Sequence, residues 1–513
     1  MHCGVRLFTL TSLALTMAAP AVAQVAQEKV DLDAVRRIRE EGLQRSQVPE
    51  LAGYLTEVIG PRLTGSPAMK RANDWTATKF TEWGLTNVMV EPWGEFGRGW
   101  ERMSYSGRVL TPYVEALQSI PTAWTGSTKG TVAAPVVIVR ADSAAALAAY
   151  RGKLKGAVVL AQAAPDVDAA WEAAAQRTSL EELLTPVEPR GRGDADPAER
   201  QQRMERFRRM REVRQAADSV FRVFRAEGVV AILTPSSRAY GILRGGGSTP
   251  GRDPKQPEPL PELVVSQEQY ARLYRNVERG IGVRVELNVQ NEFFPQDTKA
   301  YNTLADLPGT DKAGEYVMLG AHLDSWHLGG GATDNAAGSV VMMEAMRILK
   351  TLGLQPRRTI RIALWSGEEQ GLLGSRNWVE NHPELHAKIS AYVNVDNGTG
   401  KIRGIWDQAN AAAIPVFEQL LWPFRDLGVV AVKHGNTGGT DHLSFDRAGI
   451  PGFNFIQDPI AYGTMTHHTF LDVYDHLELD DLEQAAVVVA ATVYHLATRD
   501  EMMPRKAAVP ATN

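Results

Sequence analysis

The sequence predicts an α/β fold: a mostly parallel central sheet with helices on both faces, interrupted by an inserted β-rich unit. Two observations predict it. After Gly314, near-continuous apolar runs alternate with helical periodicity, the pattern of a parallel sheet buried on both sides. Between about Gly126 and Asn291, short β-branched runs bounded by Gly and Pro mark a separate unit. A chain of 513 residues exceeds the usual single-domain size, which leaves room for both.

Taken in order, the chain opens with a segment of export type. Met1 to Arg6 carries one positive charge, Leu7 to Pro20 is apolar, and Ala21-Val22-Ala23 offers a small-residue cleavage site before Gln24. The apolar run is too short to span a bilayer of about 30 Å, so export to the periplasm or extracellular space without stable membrane insertion is expected. Removal of residues 1–23 would take with it Cys3, the single cysteine, leaving core packing and metal rather than disulfides to stabilise the protein.

From Leu51 to Val90 a turn at Ile59 to Pro67 separates helical patterns, and an amphipathic stretch runs from Ala68 to Trp83 before Gly84. In the middle unit the strand signals are Ala134 to Val139, Gly156 to Leu160 and Gly228 to Leu233. The charged stretch from Asp194 to Glu227 reads as a surface helix laced by i,i+4 pairs, because Glu205 and Glu212 interrupt its arginines. Gly245 to Pro261 reads as a loop. Strands are expected at Tyr316 to Leu319, Thr359 to Trp365, Ala391 to Val395 and Gly452 to Ile456. A helix over Ala336 to Leu352 presents Val341, Ala345, Ile348 and Leu349 on one apolar face. The expected units are therefore 24–120 and 293–500 for the two parts of the main domain, 121–292 for the insertion, and 501–513 for a flexible tail.

Composition narrows the function. With 44% hydrophobic and 22% charged residues the chain is neither disordered nor a polytopic membrane protein. A net charge of -5 over this length gives no field for nucleic acid.

The polar residues that interrupt the sheet pattern share one location. His322 and Asp324 follow the first strand, Glu368 and Glu369 the second, and Asp396 the third; His467 and His468 follow the last strand after a longer loop. Strand C-terminal ends form the ligand-binding rim of an open parallel sheet. Asp334 precedes the helix, where it could serve as an N-cap or as a ligand. Imidazoles and carboxylates without thiolates suit catalytic zinc with coordination positions left for water. Two divalent ions about 3.5–4 Å apart need a bridging carboxylate, for which Asp334 is the candidate, and they acidify a shared water. The adjacent Glu368 and Glu369 offer a split between proton acceptor and ligand. Asp324 is placed to accept the second ring N–H of His322.

These residues fall within blocks that resemble a known family. Gly320-Ala321-His322-Leu323-Asp324-Ser325-Trp326, Gly331-Ala332-Thr333-Asp334-Asn335-Ala336-Ala337-Gly338 and Trp365-Ser366-Gly367-Glu368-Glu369-Gln370-Gly371 resemble motifs of the dizinc aminopeptidases of peptidase family 28 in the MH clan, most closely its plasma glutamate carboxypeptidase (carboxypeptidase Q) branch. The resemblance covers roughly Leu51 to Trp100 and Gly314 to Leu496, and the middle unit resembles a protease-associated domain. It implies an exopeptidase with two Zn2+ per chain: His322 and Asp396 on one, Glu369 and His468 on the other, Asp334 bridging, and Glu368 as general base. His468 is preferred to His467 because His468-Thr469-Phe470-Leu471-Asp472 fits the family pattern. Gly439-Thr440-Asp441-His442 and Tyr462 are implied to line the substrate pocket. His327 stands where related sequences often carry an acidic residue.

The implied substrate is a peptide or dipeptide; aminopeptidase, dipeptidase and carboxypeptidase action stay open, as does a homodimer. A metal-free receptor-like binding protein and a single-zinc glutaminyl cyclase are the alternatives. Asn397-Gly398-Thr399 matches a glycosylation acceptor, but it follows a candidate ligand and is expected to line the rim.

Overall fold

The computed structural model describes residues 27–140, 145–186, 205 and 220–506. The export-type segment and most of the charged stretch from Asp194 to Glu227 lie outside them. Among the described residues no helix is long and apolar enough to cross a membrane.

Among the described residues, sixteen strands form two eight-stranded sheets. The first contains β1 (Thr86–Glu95), β10 (Lys299–Leu307), β11 (Lys312–His322), β12 (Arg358–Trp365), β13 (Ile389–Asn394), β14 (Ile402–Trp406), β15 (Ala431–Lys433) and β16 (Gly452–Gln457), in the order β1-β10-β12-β11-β13-β16-β14-β15. Its centre is parallel: β11 pairs with β12 and β13, and β13 with β16. Antiparallel neighbours flank that centre, β10 on β12 and β14 on β16. The sheet is mixed with parallel neighbours in the majority, four pairs of seven among the described strands. Every residue of β12 and β13 is buried, as expected for strands covered on both faces.

The helix Ala337–Thr351 crosses from β11 to β12. Its sequence predicts one apolar face, yet all residues from Ala337 to Leu349 are buried. Its outer side is covered by the helices Leu32–Gln44 and Leu479–Thr498, whose Val35, Ile38, Ala486 and Val487 join Ile348 and Leu349 in one core. The buried polar residues Glu344 and Arg347 are accommodated by pairing: Arg347 donates to both carboxylate oxygens of Glu344 at 2.7 and 2.8 Å and to Glu41 at 2.8 Å.

The second sheet holds β2 (Gly99–Thr111), β3 (Glu115–Ala116), β4 (Ser119–Pro121), β5 (Val132–Ile138), β6 (Val158–Leu160), β7 (Ala231–Pro235), β8 (Glu262–Val265) and β9 (Arg284–Phe294), in the order β3-β2-β9-β5-β6-β7-β8-β4. It draws in Gly99 to Ile120, expected from sequence to belong to the main domain, because β2 pairs along its whole length with β9. Two further readings differ. The loop expected over Gly245 to Pro261 contains a short helix, Thr249–Arg252. The tail expected after residue 500 is held through residue 506: Met503 is buried with its N–H on Ser390, and Arg505 donates to the carbonyls of Gly449 and Ile389.

Candidate metal centre

Three of the candidate ligands, His322, Glu369 and Asp396, sit where a buried strand stops, while Asp334 lies at a helix start and His468 in the loop after β16. β11 ends on His322, and Asp396 lies just past β13. Glu368 and Glu369 follow β12 after Gly367, whose φ of +72° turns the chain at the sheet edge. Ser366 is held by Asn302 and Tyr301 from β10, so the loop leaves the sheet at a fixed angle.

Asp334 is not a helix cap. The cap is made by its neighbour: Asn335 Oδ1 accepts the Gly338 N–H at 2.9 Å, while Asn335 Nδ2 donates to the Val395 carbonyl at 3.0 Å. This ties the helix start to the strand end that carries Asp396. Gly338 permits the approach, since a Cβ there would lie 2.3 Å from the Val395 carbonyl oxygen.

Freed from capping, the two carboxylate oxygens of Asp334 face different partners. Oδ1 lies 3.3 Å from His322 Nε2, which is 3.4 Å from Asp396 Oδ1. Oδ2 lies 3.1 Å from His468 Nε2, which is 2.9 Å from Glu369 Oε2. His467 Nε2 stands farther off, 3.8 Å from the same Oδ2. His322, Asp334 and Asp396 form one group with metal-binding spacing, and Asp334, His467 and His468 another. Asp334 Oδ2, Glu369 Oε1 and Asp396 Oδ1 are buried without hydrogen-bond partners. Such orphaned carboxylate oxygens are costly in a dry site unless a cation takes them up, so the donor set fits bound metal.

The protonation pattern follows the crowding. Burial works against charge on His468, but Glu369 and Asp334 overcome it and push the imidazole up to about 10. Burial, together with the Asp334 charge, pushes Glu369 up to about 7. Burial also holds Glu368 well above the usual carboxylate range, reinforced by Asp396 and Asp441. His467 moves the other way, down to about 4, through burial and the neighbouring His468 charge.

Asp324 corrects one expectation. His322 Nδ1 donates to the Asp324 backbone carbonyl at 2.9 Å, while the Asp324 carboxylate is 3.6 Å away. That carboxylate instead accepts from Thr64 Oγ1 at 2.7 Å and from the Glu368 N–H at 3.3 Å, and Thr64 Oγ1 accepts from Gly367 N–H at 3.2 Å. Its work is to brace the Glu368 loop.

Asp441 and His442, expected to line the pocket, are both fully buried. Asp441 accepts from Ser375, and burial pushes it up to about 7; His442 is pushed by burial down to about 4. They support the cluster from behind. Tyr462 is half-buried at the rim, its ring 4.9 Å from that of His467. His327 lies outside the cluster, its Nε2 donating at 2.7 Å to the carbonyl of Pro121 in the second sheet.

Two supports escaped sequence reasoning. Arg62, fully buried, donates to the carbonyls of Leu323, Gly330 and Gly331, all at 2.7 Å, fixing the turn before Asp334. Burial lowers it to about 10, against the pull of Asp472, Asp324 and Asp334. Asp472 accepts from Thr333 N–H at 2.6 Å and from Asp334 N–H at 3.2 Å, setting the carboxylate from the far side. The signals were an arginine inside an apolar turn and the last residue of the His468 motif.

Residues 302–493 match the model of Peptidase family M28. Carboxypeptidase Q of Mus musculus is 26% identical over 461 residues, 89% of this chain and 87% of that one. Carboxypeptidase Q of Homo sapiens is 30% identical over 247 residues, 48% of this chain and 52% of that one. Among solved structures, a peptidase M28 precursor from Shewanella amazonensis SB2B shares 25% identity at a TM-score of 0.65, covering 93% of this chain and 98% of that one. A zinc aminopeptidase from Bacillus subtilis, 19% identical at a TM-score of 0.56 over 90% and 98% of the two chains, shares the fold.

Proposed function

We propose that this chain, a metallopeptidase whose residues 302–493 belong to peptidase family M28, hydrolyses peptide bonds next to a chain terminus with two zinc ions. The observation that carries the reading is the divided Asp334 carboxylate, one oxygen beside His322 and Asp396, the other beside His468 and Glu369. His322 and Asp396 would hold one ion, Glu369 and His468 the other, and Asp334 both. Zinc supplies Lewis-acid polarisation of the scissile carbonyl and lowers the pKa of water at the site.

The protein supplies the proton path and the frame. Glu368, next in sequence to a ligand but outside the ligand set, takes a proton from the attacking water and delivers it to the departing amine nitrogen. The Asp324 and Thr64 brace fixes the loop that carries it, so the carboxylate need not reorganise during the step. Arg62 and Asp472 do the same for Asp334. The second sheet's unit reaches the site through residues beside His468, and so shapes the cleft.

The test is Glu368→Gln. It should keep two zinc ions per chain and lose peptidase activity by roughly 100-fold or more, the range for a lost proton-transfer group. Full activity in that variant would remove Glu368 from the mechanism. Export through residues 1–23 belongs to the same proposal, and a mature N-terminus at Gln24 in secreted protein is the result expected.

A further inference from the structure

The loop that brings His468 to the cluster leaves β16 at Asp458, passes through the turn Tyr462–Thr466 and reaches His468 beyond it. Two of its residues are strained. Ile460 (φ +44°) and His468 (φ +62°) lie in the left-handed region, which a β-branched residue such as isoleucine adopts only where its surroundings hold it. The carbonyl of each is taken up by the second sheet's unit: Gly245 N–H donates to the His468 carbonyl at 2.8 Å, and Gln176 N–H to the Ile460 carbonyl at 3.0 Å.

Gln176 belongs to a strap, part of the chain between β6 and β7, that crosses from the second sheet to the outer side of this loop. The two segments run antiparallel. Thr464 Oγ1 donates to the Ala174 carbonyl at 2.6 Å, Gln176 meets Ile460, and Thr178 N–H donates to Asp458 Oδ1 at 3.1 Å. Arg177 secures the end of the strap. One of its guanidinium nitrogens donates to Asp458 Oδ2 at 3.0 Å and to Asp481 Oδ2 at 2.6 Å, joining the base of the loop to the helix Leu479–Thr498. Asp458 is fully buried, and Arg403 of β14 supplies it with a second cation at 2.9 Å. Removing the Arg177 side chain therefore loosens the strap without stranding a buried charge.

The other half of the metal centre has no such dependence. His322 and Asp396 follow β11 and β13, which pair with each other inside the core. We propose that the strap is a positioning element for the Glu369–His468 half of the centre alone: it clamps the loop at Asp458, Ile460 and Thr464, with Arg177 as the positioning residue, and so keeps His468 at 2.9 Å from Glu369. The inference rests on the two-ion reading above.

The experiment titrates metal-free protein with zinc against a competing chelator in wild type, Arg177→Met, Arg177→Lys and Thr464→Val, and follows amide hydrogen exchange in the same metal-free proteins. Arg177→Met should weaken one of the two ions roughly 10-fold and leave the other unchanged, the effect of a group that orients a metal ligand from outside. Arg177→Lys, which keeps the charge, should recover most of that loss, and Thr464→Val should weaken the same ion to a smaller extent. Amides of residues 462–468 should exchange faster in Arg177→Met, while those of β11, β12 and β13 keep their protection. Unchanged affinity for both ions in Arg177→Met overturns the proposal, whatever the exchange shows. So does equal weakening of both ions, or faster exchange throughout the first sheet, since Arg177 would then be a contact for the fold at large. A single ion in wild type would instead overturn the two-ion reading, and the role of the strap with it.

Discussion

Two of the buried charge clusters among the described residues are solved in opposite ways. Around Arg347, in the helix Ala337–Thr351, each carboxylate has its cation: Glu344 takes two guanidinium nitrogens and Glu41 a third. Around Asp334, at the start of the same helix, carboxylates gather against two imidazoles, and Asp334 Oδ2, Glu369 Oε1 and Asp396 Oδ1 are left without hydrogen bonds. The closed cluster spends its polar groups on the fold; the open one withholds them for a ligand.

That contrast can be broken from either side. The largest expected effect is on activity: Asp334→Ala should lower kcat/KM by at least ~1000-fold, the several kcal/mol that metal catalysis supplies, while the metal-free protein keeps its melting temperature. Arg347→Met should do the reverse. It strands Glu41 and Glu344 in the core and should cost about 3–5 kcal/mol in urea unfolding, with zinc content and activity of the folded fraction retained. An effect of Arg347→Met on zinc content would show that the two clusters are not independent.

A smaller effect is expected from Asp472→Asn, which loosens the support of Asp334 without removing a ligand. Zinc affinity, measured by competition with a chelator, should fall roughly 10- to 100-fold.

A further expectation is a pH slope at His327. Burial holds this imidazole down at about 3, well below the ordinary 6.5, with the Pro121 carbonyl opposing the shift and Arg102 adding to it. Below pH 6.5 the unfolded chain binds a proton that the folded protein refuses. Stability therefore falls as pH drops, by about 1.4 kcal/mol per unit, and levels off near pH 3. His327→Asn should flatten that part of the stability profile; an unchanged slope would mean that other groups produce it.

Much of the frame was legible. The apolar runs after Gly314 located β11, β12, β13 and β16 to within a few residues, because strands buried on both faces admit little else. The convergence of His322, Glu369 and Asp396 was legible for the same reason, since polar residues at the ends of such strands stand out, whereas Asp334 and His468 were singled out by the family resemblance. What escaped were long-range pairings. β2 carries no signal that its partner is β9, nearly two hundred residues away. The helix around Glu344 and Arg347 looks one-sided until the N- and C-terminal helices cover it. Asp334 and Asn335 are both cap-forming types, and only the approach of Val395 decides which of them caps. Arg62 gave only the weak signal of an arginine inside an apolar turn, since its partners lie in a segment remote in sequence.

The divided carboxylate of Asp334 is tested most directly by zinc stoichiometry. Metal-free protein titrated with zinc should bind two ions per chain, and Asp334→Asn should lose tight binding of both, because the bridge serves each. One ion per chain in the wild type, or two retained in Asp334→Asn, would contradict the account.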